Sequence, residues 1–298
     1  MKPEPTFQMT RRQMLAGGAS LFAAAALAGC SSSSDSSSSS DTSSDSGDVT
    51  QMTVTPGKLT VATGNPAFEP WVMDDDPSSG KGFEAALTYK LAEKMGFADE
   101  DVVWTRTTFD ESYAPGDKDW DINVQQVSIN EDRKKAVDFS PAYFRPTQSV
   151  VTVKDGKYAS AKSVADLKDA TFAVMVGSTA YDYVKSIFKD GGDDGIDVFN
   201  DNSDAAAAVG AGQTDVLVTD TPQCVYMCQS DQVANGVVVG QIPGTEDEYG
   251  FGMTLAKDSA LTPYVTDAMN ALLDDGTVEE LQKQWLAEYT TDIPELEA

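Results

Sequence analysis

Beyond residue 58 the chain alternates short apolar runs with helical periodicities, and that alternation restricts it to an α/β architecture with mainly parallel sheets. Strands are expected at 59–63, 102–106, 121–124, 148–153, 172–176, 196–199, 215–218 and 237–239, with extended backbone at 249–256. Helices are expected at 82–96, 179–189, 203–211, 222–229, 260–274 and 277–289. The first is the clearest: Phe83, Leu87, Leu91 and Met95 recur every four residues, and Gly96 stops it. Ser203 is the expected cap of the Ala-rich helix at 203–211. The sequence contains no internal repeat.

The N-terminus carries a different message. Thr10-Arg11-Arg12-Gln13-Met14-Leu15 opens a weakly apolar run that ends in Leu27-Ala28-Gly29-Cys30. A positive segment, a short apolar stretch and a small-residue cleavage site describe an export signal, too short and too rich in Ala and Gly to span a membrane. The paired arginines resemble a twin-arginine signal, and Leu-Ala-Gly-Cys resembles a bacterial lipobox. That resemblance implies cleavage after residue 29 and a diacylglyceryl group on Cys30, holding the chain at the extracytoplasmic face of the cell membrane. From Ser31 to about Thr50 nearly every residue is Ser, Asp, Thr or Gly. Such a segment cannot offset its ordering entropy, so 30–57 is expected to be a disordered tether, roughly 25–30 Å in average reach.

Charge and residue usage narrow the chemistry. The formal charge is −27. Cleavage after residue 29 removes Lys2, Arg11, Arg12 and Glu4, three positive charges and one negative, and leaves −29. Only Asp35, Asp41, Asp45 and Asp48 of the acids lie in the tether, so the folded body itself is acidic and no nucleic-acid partner is expected. The chain contains no histidine, which excludes a Ser-His-Asp triad, a Cys-His pair and His-ligated metal. No cofactor or metal is expected. Besides Cys30 there are only Cys224 and Cys228, spaced i,i+4 on one expected helix, poor geometry for a disulfide and better suited to small buried apolar side chains.

The densest chemistry lies in residues 119–143, DWDINVQQVSINEDRKKAVDFSPAY. A strand runs into the polar turn Gln125-Gln126-Val127-Ser128, followed by a short helix with Arg133. Pockets of α/β sheets lie beyond the carboxyl ends of strands, so Gln126, Ser128 and Arg133 should converge. A guanidinium there can hold a carboxylate through two parallel hydrogen bonds.

Ser128-Ile129-Asn130-Glu131-Asp132-Arg133 and Val137-Asp138-Phe139-Ser140-Pro141-Ala142-Tyr143 resemble the signature of the family 3 extracellular solute-binding proteins of polar amino-acid ABC importers. The segments 65–71, 82–84, 176–179, 215–220 and 276–285 extend the likeness from about Leu59 to Tyr289. Asn130 and Glu131 depart from the usual Thr and Pro, and Gly64 stands where relatives often carry Asp. The resemblance implies a periplasmic-binding type II fold, two α/β lobes joined by crossing strands near 148–153 and 249–255. Lobe one would combine 58–149 with 250–298, and lobe two would be 153–246. It implies that Arg133 clamps a ligand α-carboxylate, aided by Ser128, backbone near Gln126, and Ser178 and Thr179 at a helix N-terminus. It further implies that Asp220 takes the α-ammonium and that Phe68 and Phe109 stack on the ligand. Plainer roles exist for several of these: Ser178 and Asp220 as helix caps, Arg133 as a surface ion-pair partner of Glu131 or Asp138, and Phe68 as a core aromatic. Trp71 is expected in the core, and Glu69 as a solvated loop carboxylate.

The implied function is capture of a free amino acid between the lobes and delivery to an ABC permease with its ATPase, by a monomer that performs no covalent chemistry. The alternative is an extracytoplasmic enzyme on the same scaffold, a dehydratase acting on an aromatic amino-acid precursor. It would need Glu69, Glu84 or Asp220 as acid or base. A sensing module of a membrane receptor is a third reading, disfavoured because no transmembrane helix follows the expected domain.

Overall fold

Among the described residues, ten short strands in two sheets, with helices packed on them, carry the hydrophobic cores. A computed structural model describes residues 48–246, 250–290 and 292–298. The export signal, Cys30, the tether up to residue 47 and Tyr249 lie outside the described residues. In chain order the elements are β1 (Leu59–Thr63), α1 (Phe83–Met95), β2 (Val102–Arg106), β3 (Ile122–Asn123), β4 (Val137–Phe139), β5 (Gln148–Val153), β6 (Phe172–Met175), α2 (Thr179–Ile187) and β7 (Ile196–Phe199). Then follow α3 (Asn202–Gly210), β8 (Val216–Asp220), α4 (Thr221–Gln229), β9 (Gly236–Gln241), β10 (Thr254–Ala256), α5 (Thr262–Asp274), α6 (Thr277–Trp285) and α7 (Ala287–Thr290).

The first sheet has the order β2-β1-β3-β10-β4, with β1 parallel to β2 and β3, and β10 antiparallel to β3 and β4. Leu59, Val61 and Ala62 of β1 are fully buried, as a strand flanked on both edges requires. Helix α1 supplies Phe83, Leu87 and Leu91 to the same core and ends at Gly96 (φ +90°), whose N–H bonds back to Ala92 O. Trp71 is fully buried there, edge-on to Phe144 and Phe251, the core position expected of it.

The second sheet has the order β7-β6-β8-β5-β9, with β6 parallel to β7 and β8, and β5 antiparallel to β8 and β9. Its two faces bury separate clusters, one around Phe172, Val184 and Val218, the other around Leu217, Cys224 and Met227. Cys224 and Cys228 are free thiols; Cys224 is buried and Cys228 half-buried. Burial pushes both thiols up from their ordinary range, Cys228 to about 11.

Both sheets are mixed, with four parallel and four antiparallel pairings among the described residues where mainly parallel sheets are expected, because β5 and β10 return against their neighbours. Four further differences matter. The ordered body starts before residue 58: Val49–Gln51 form a 3-10 turn and Thr53 is buried. The buried Asp121 carboxylate explains this, accepting from Val54 N and Thr60 N at 2.7 Å each, a satisfaction that local composition does not reveal. Helix α3 is capped by Asp201, whose side chain accepts from Asp204 N at 2.9 Å, rather than by Ser203. Strand β5 belongs wholly to the second sheet, so the first crossing precedes it, where Phe144 bridges to Phe251. Finally, the C-terminal tail leaves the first lobe. Gln241 N donates to Pro294 O at 2.7 Å, Leu296 N donates to Gln241 O at 2.9 Å, and Leu296 sits in the second lobe's core.

Candidate functional site

The cleft between the sheets is built from the ends of strands and the turns that follow them. After β3 the chain passes through Gln126, which takes a left-handed φ of +56°, costly for a residue with a side chain. The turn is held from behind by Glu84 of α1. Its carboxylate accepts from Gln126 N at 2.9 Å, from Gln126 Nε2, and from the Tyr143 hydroxyl. Glu84 is fully buried, and desolvation pushes its carboxyl up from 4.5 to about 7 against the opposing hydrogen bonds. Tyr143 is fully screened too, its hydroxyl raised by burial and by the neighbouring Glu84.

Arg133 follows one turn later and is buried. Its Nη1 donates to Ser128 O at 2.8 Å and its Nη2 to Gly177 O, on the other lobe, at 2.9 Å. The guanidinium lies 4.4 Å from the centroid of Tyr113 and 5.4 Å from that of Phe109, two rings that meet edge-on. Gly177 turns the chain from β6 into α2 with φ +67°, and a side chain there would overlap the Tyr113 hydroxyl. The lobes therefore touch at the guanidinium itself.

On the second lobe, Ser178 occupies the N-cap of α2, yet its hydroxyl donates to Met175 O at 2.7 Å instead of capping the helix. Asp220 ends β8 at the N-cap of α4, where its side chain makes no capping bond. Its Oδ1 instead accepts from Gln148 Nε2 at 2.6 Å.

These groups surround one cavity of about 210 Å³, to which both lobes contribute. All eight expected residues line it: Phe68, Phe109, Gln126, Ser128 and Arg133 from the first lobe, Ser178, Thr179 and Asp220 from the second. Arg133 is the one Lys or Arg among the described lining residues, against two acids, Asp201 and Asp220. Neither Glu69 nor Glu84 lines the cavity; Glu69 Oε1 accepts from Asp74 N at 3.2 Å. Two participants escaped the sequence reading. Gln148 stands on a strand expected to serve only as a crossing. Tyr113 sits four residues after Phe109, across the 3-10 turn at Asp110–Ser112, and the two rings meet with centroids 5.5 Å apart.

Two α/β lobes with a polar cleft between them, joined by crossing segments, define the type II periplasmic-binding fold. The model of the bacterial extracellular solute-binding proteins, family 3, matches residues 59–288, and the chain belongs to that family. Among its relatives, the ABC transporter glutamine-binding protein GlnH of Bacillus subtilis is 27% identical over 217 residues, 72% of this chain and 76% of that protein. An ancestral arginine-binding protein solved with arginine superposes with a TM-score of 0.64 at 29% identity, covering 78% of this chain and 99% of its own. The ancestral amino acid-binding protein AncCDT-1, a precursor of cyclohexadienyl dehydratase, gives 0.61 at 28% identity, covering 77% of this chain and 95% of its own. The chain is thus a solute-binding protein whose near relatives bind amino acids.

Proposed function

We propose that this protein captures a free amino acid in the cleft and hands it, in the closed form, to the permease of an ABC importer. The observation that carries the reading is the split of charge across the cleft: a buried guanidinium on one lobe and a carboxylate on the other line a single cavity. A zwitterion satisfies both at once, and it can do so fully only when the lobes are closed. Its differential affinity for that state is what drives closure.

On this reading Arg133 holds the α-carboxylate with Ser128 and the first turn of α2, from Ser178 and Thr179, where a helix N-terminus favours an anion. Asp220 receives the α-ammonium, and Phe68 and Phe109 pack on the ligand. Among the described lining residues an acidic side chain would meet no second cation, so neutral and cationic amino acids are the expected ligands. Lipidation of Cys30 keeps the binder at the membrane, where a short tether raises its concentration at the permease. A dehydratase would need an acid or base facing the cavity. Of the three candidates, Glu84 is sealed behind Gln126 and Glu69 lies outside the cavity lining. Asp220 alone faces the cavity, and the binding reading assigns it to the ammonium, beside Gln148, whose amide it accepts from at 2.6 Å.

Calorimetry of the purified protein against the standard amino acids tests the proposal. One-site binding of at least one neutral or cationic amino acid is expected; absence of heat from every one of them overturns it.

A further inference from the structure

The proposed ammonium site contains a side-chain amide that is bonded at its nitrogen and not at its oxygen. Gln148 begins β5, is 3% exposed and lines the cavity beside Asp220. Its orientation follows from its neighbour: a carboxylate oxygen only accepts, so the amide nitrogen must face Asp220, as it does at 2.6 Å. The amide oxygen is then turned away from Asp220, and it has no hydrogen-bond partner although it is buried. A buried carbonyl left without a donor costs about 1–3 kcal/mol, and native proteins rarely tolerate one without a use for it. The backbone around it offers no remedy, since Gln148 N already donates to Thr245 Oγ1 at 3.0 Å and Gln148 O accepts from Ile242 N at 2.8 Å.

We infer that Gln148 is a ligand-binding residue: its amide donates to Asp220 and its Oε1 accepts a hydrogen bond from the ligand's α-ammonium. This rests on the amino-acid reading above and deepens it. An ammonium group brings three N–H donors, and one carboxylate oxygen tied up by an amide does not exhaust them. Gln148 supplies a second acceptor and holds the first in place. It starts the strand that follows the first crossing, flanked by a hydroxyl chain in which Thr147 Oγ1 lies 2.7 Å from Thr221 Oγ1, and Ser149 Oγ lies 2.7 Å from the same atom. A ligand that bonds Oε1 therefore acts directly on the strand that follows the crossing.

The experiment uses two variants with the amino acid that calorimetry identifies. Gln148→Met keeps the length of the side chain and removes both bonds; its affinity should fall roughly 10- to 100-fold. Gln148→Glu keeps an acceptor for the ammonium but sets a second carboxylate against Asp220. Without ligand it should therefore melt below Gln148→Met, while binding the amino acid more tightly than Gln148→Met does. A role confined to packing predicts that affinity follows melting temperature in the same order. That result, or wild-type affinity in Gln148→Met, overturns the inference and leaves the amino-acid reading standing. If the wild-type protein binds no amino acid, the reading and the inference fall together. A crystal structure of the complex completes the test. The ammonium nitrogen is expected about 2.8–3.0 Å from Gln148 Oε1, and a Gln148 Oε1 bonded only to protein or water is the opposing result.

Discussion

The two walls of the cleft are built to different standards. On the first lobe the Gln126 turn and Arg133 are both braced by neighbouring groups. Glu84 and Tyr143 pin the Gln126 turn, Ser128 O steadies Arg133, and two aromatic rings flank the guanidinium. On the second lobe the corresponding groups sit at helix starts: Ser178 and Thr179 at the head of α2, and Asp220 steadied by Gln148. The contrast teaches an order of events for the proposed cycle. A ligand first meets a wall that already has its binding geometry, and the second wall completes the site on closure. Preorganisation on one side limits the ordering cost to the other.

The strongest way to break that contrast is to compare the two charged groups. On the proposed reading Arg133→Ala removes the charged grip on the ligand carboxylate, and it strips donors from Ser128 O and Gly177 O. We expect a loss of about 3 kcal/mol or more in binding, roughly a hundredfold or more. Asp220→Asn keeps an acceptor for Gln148 and should cost less, about 1.5–2 kcal/mol. Titration calorimetry of both variants decides; a larger loss in Asp220→Asn would mean that the second wall carries the primary grip.

Glu84 allows the stiffness of the first wall to be measured apart from any ligand. Its carboxyl is raised from 4.5 to about 7 in the folded state. Below 4.5 it is protonated folded or unfolded. Between 4.5 and 7 the unfolded chain releases the proton while the folded protein keeps it. Stability present at low pH is therefore lost as pH rises through 7, by about 3 kcal/mol for a shift of this size. Urea unfolding at pH 5 and pH 8 should show wild type weakened by that order, with Glu84→Gln weakened far less. Equal weakening in both proteins would remove Glu84 as the source.

How much of this contrast could be read in the sequence follows from the range of the interactions. Helix α1 was legible because Phe83, Leu87 and Leu91 repeat at helical spacing, and the expected residues of the cleft lie in short contiguous segments. Tyr113 and Gln148 were not, because each matters through a partner distant in the chain: Gly177 is 64 residues from Tyr113, and Asp220 is 72 from Gln148. The ordered start at residues 48–57 depends on one distant carboxylate, Asp121. The C-terminal tail has no periodicity to betray it, since one leucine in a polar stretch anchors it.

That tail sharpens the comparison in turn. The second lobe borrows Leu296, 4% exposed in its core, from a segment that has just left the first lobe. Leu296→Ala should cost about 2–3 kcal/mol of stability, toward the low end for a buried leucine because the tail can shift to fill part of the space. Thermal melting checks the size. Hydrogen exchange checks the place, with faster exchange expected in β9 and not in β1; uniform loss in both lobes would show that the tail does not belong to the second alone.

The smallest expected effect isolates the contact between the walls. Gly177 holds a left-handed turn and lies against the Tyr113 hydroxyl, so Gly177→Ala meets both backbone strain and a steric clash. The strain alone costs about 1 kcal/mol, and the clash adds a cost only in the closed form, because Tyr113 and Gly177 belong to different lobes. Closure is thus penalised beyond folding. Affinity should fall about tenfold while melting temperature without ligand drops by only a few degrees. Adding Tyr113→Ala to that variant removes the obstructing hydroxyl together with one of the rings on Arg133. If obstruction dominates, the double variant binds more tightly than Gly177→Ala alone; if support of the guanidinium dominates, it binds more weakly. The sign of that difference states whether Tyr113 serves chiefly to gate the meeting of the lobes or to hold the first wall ready for it.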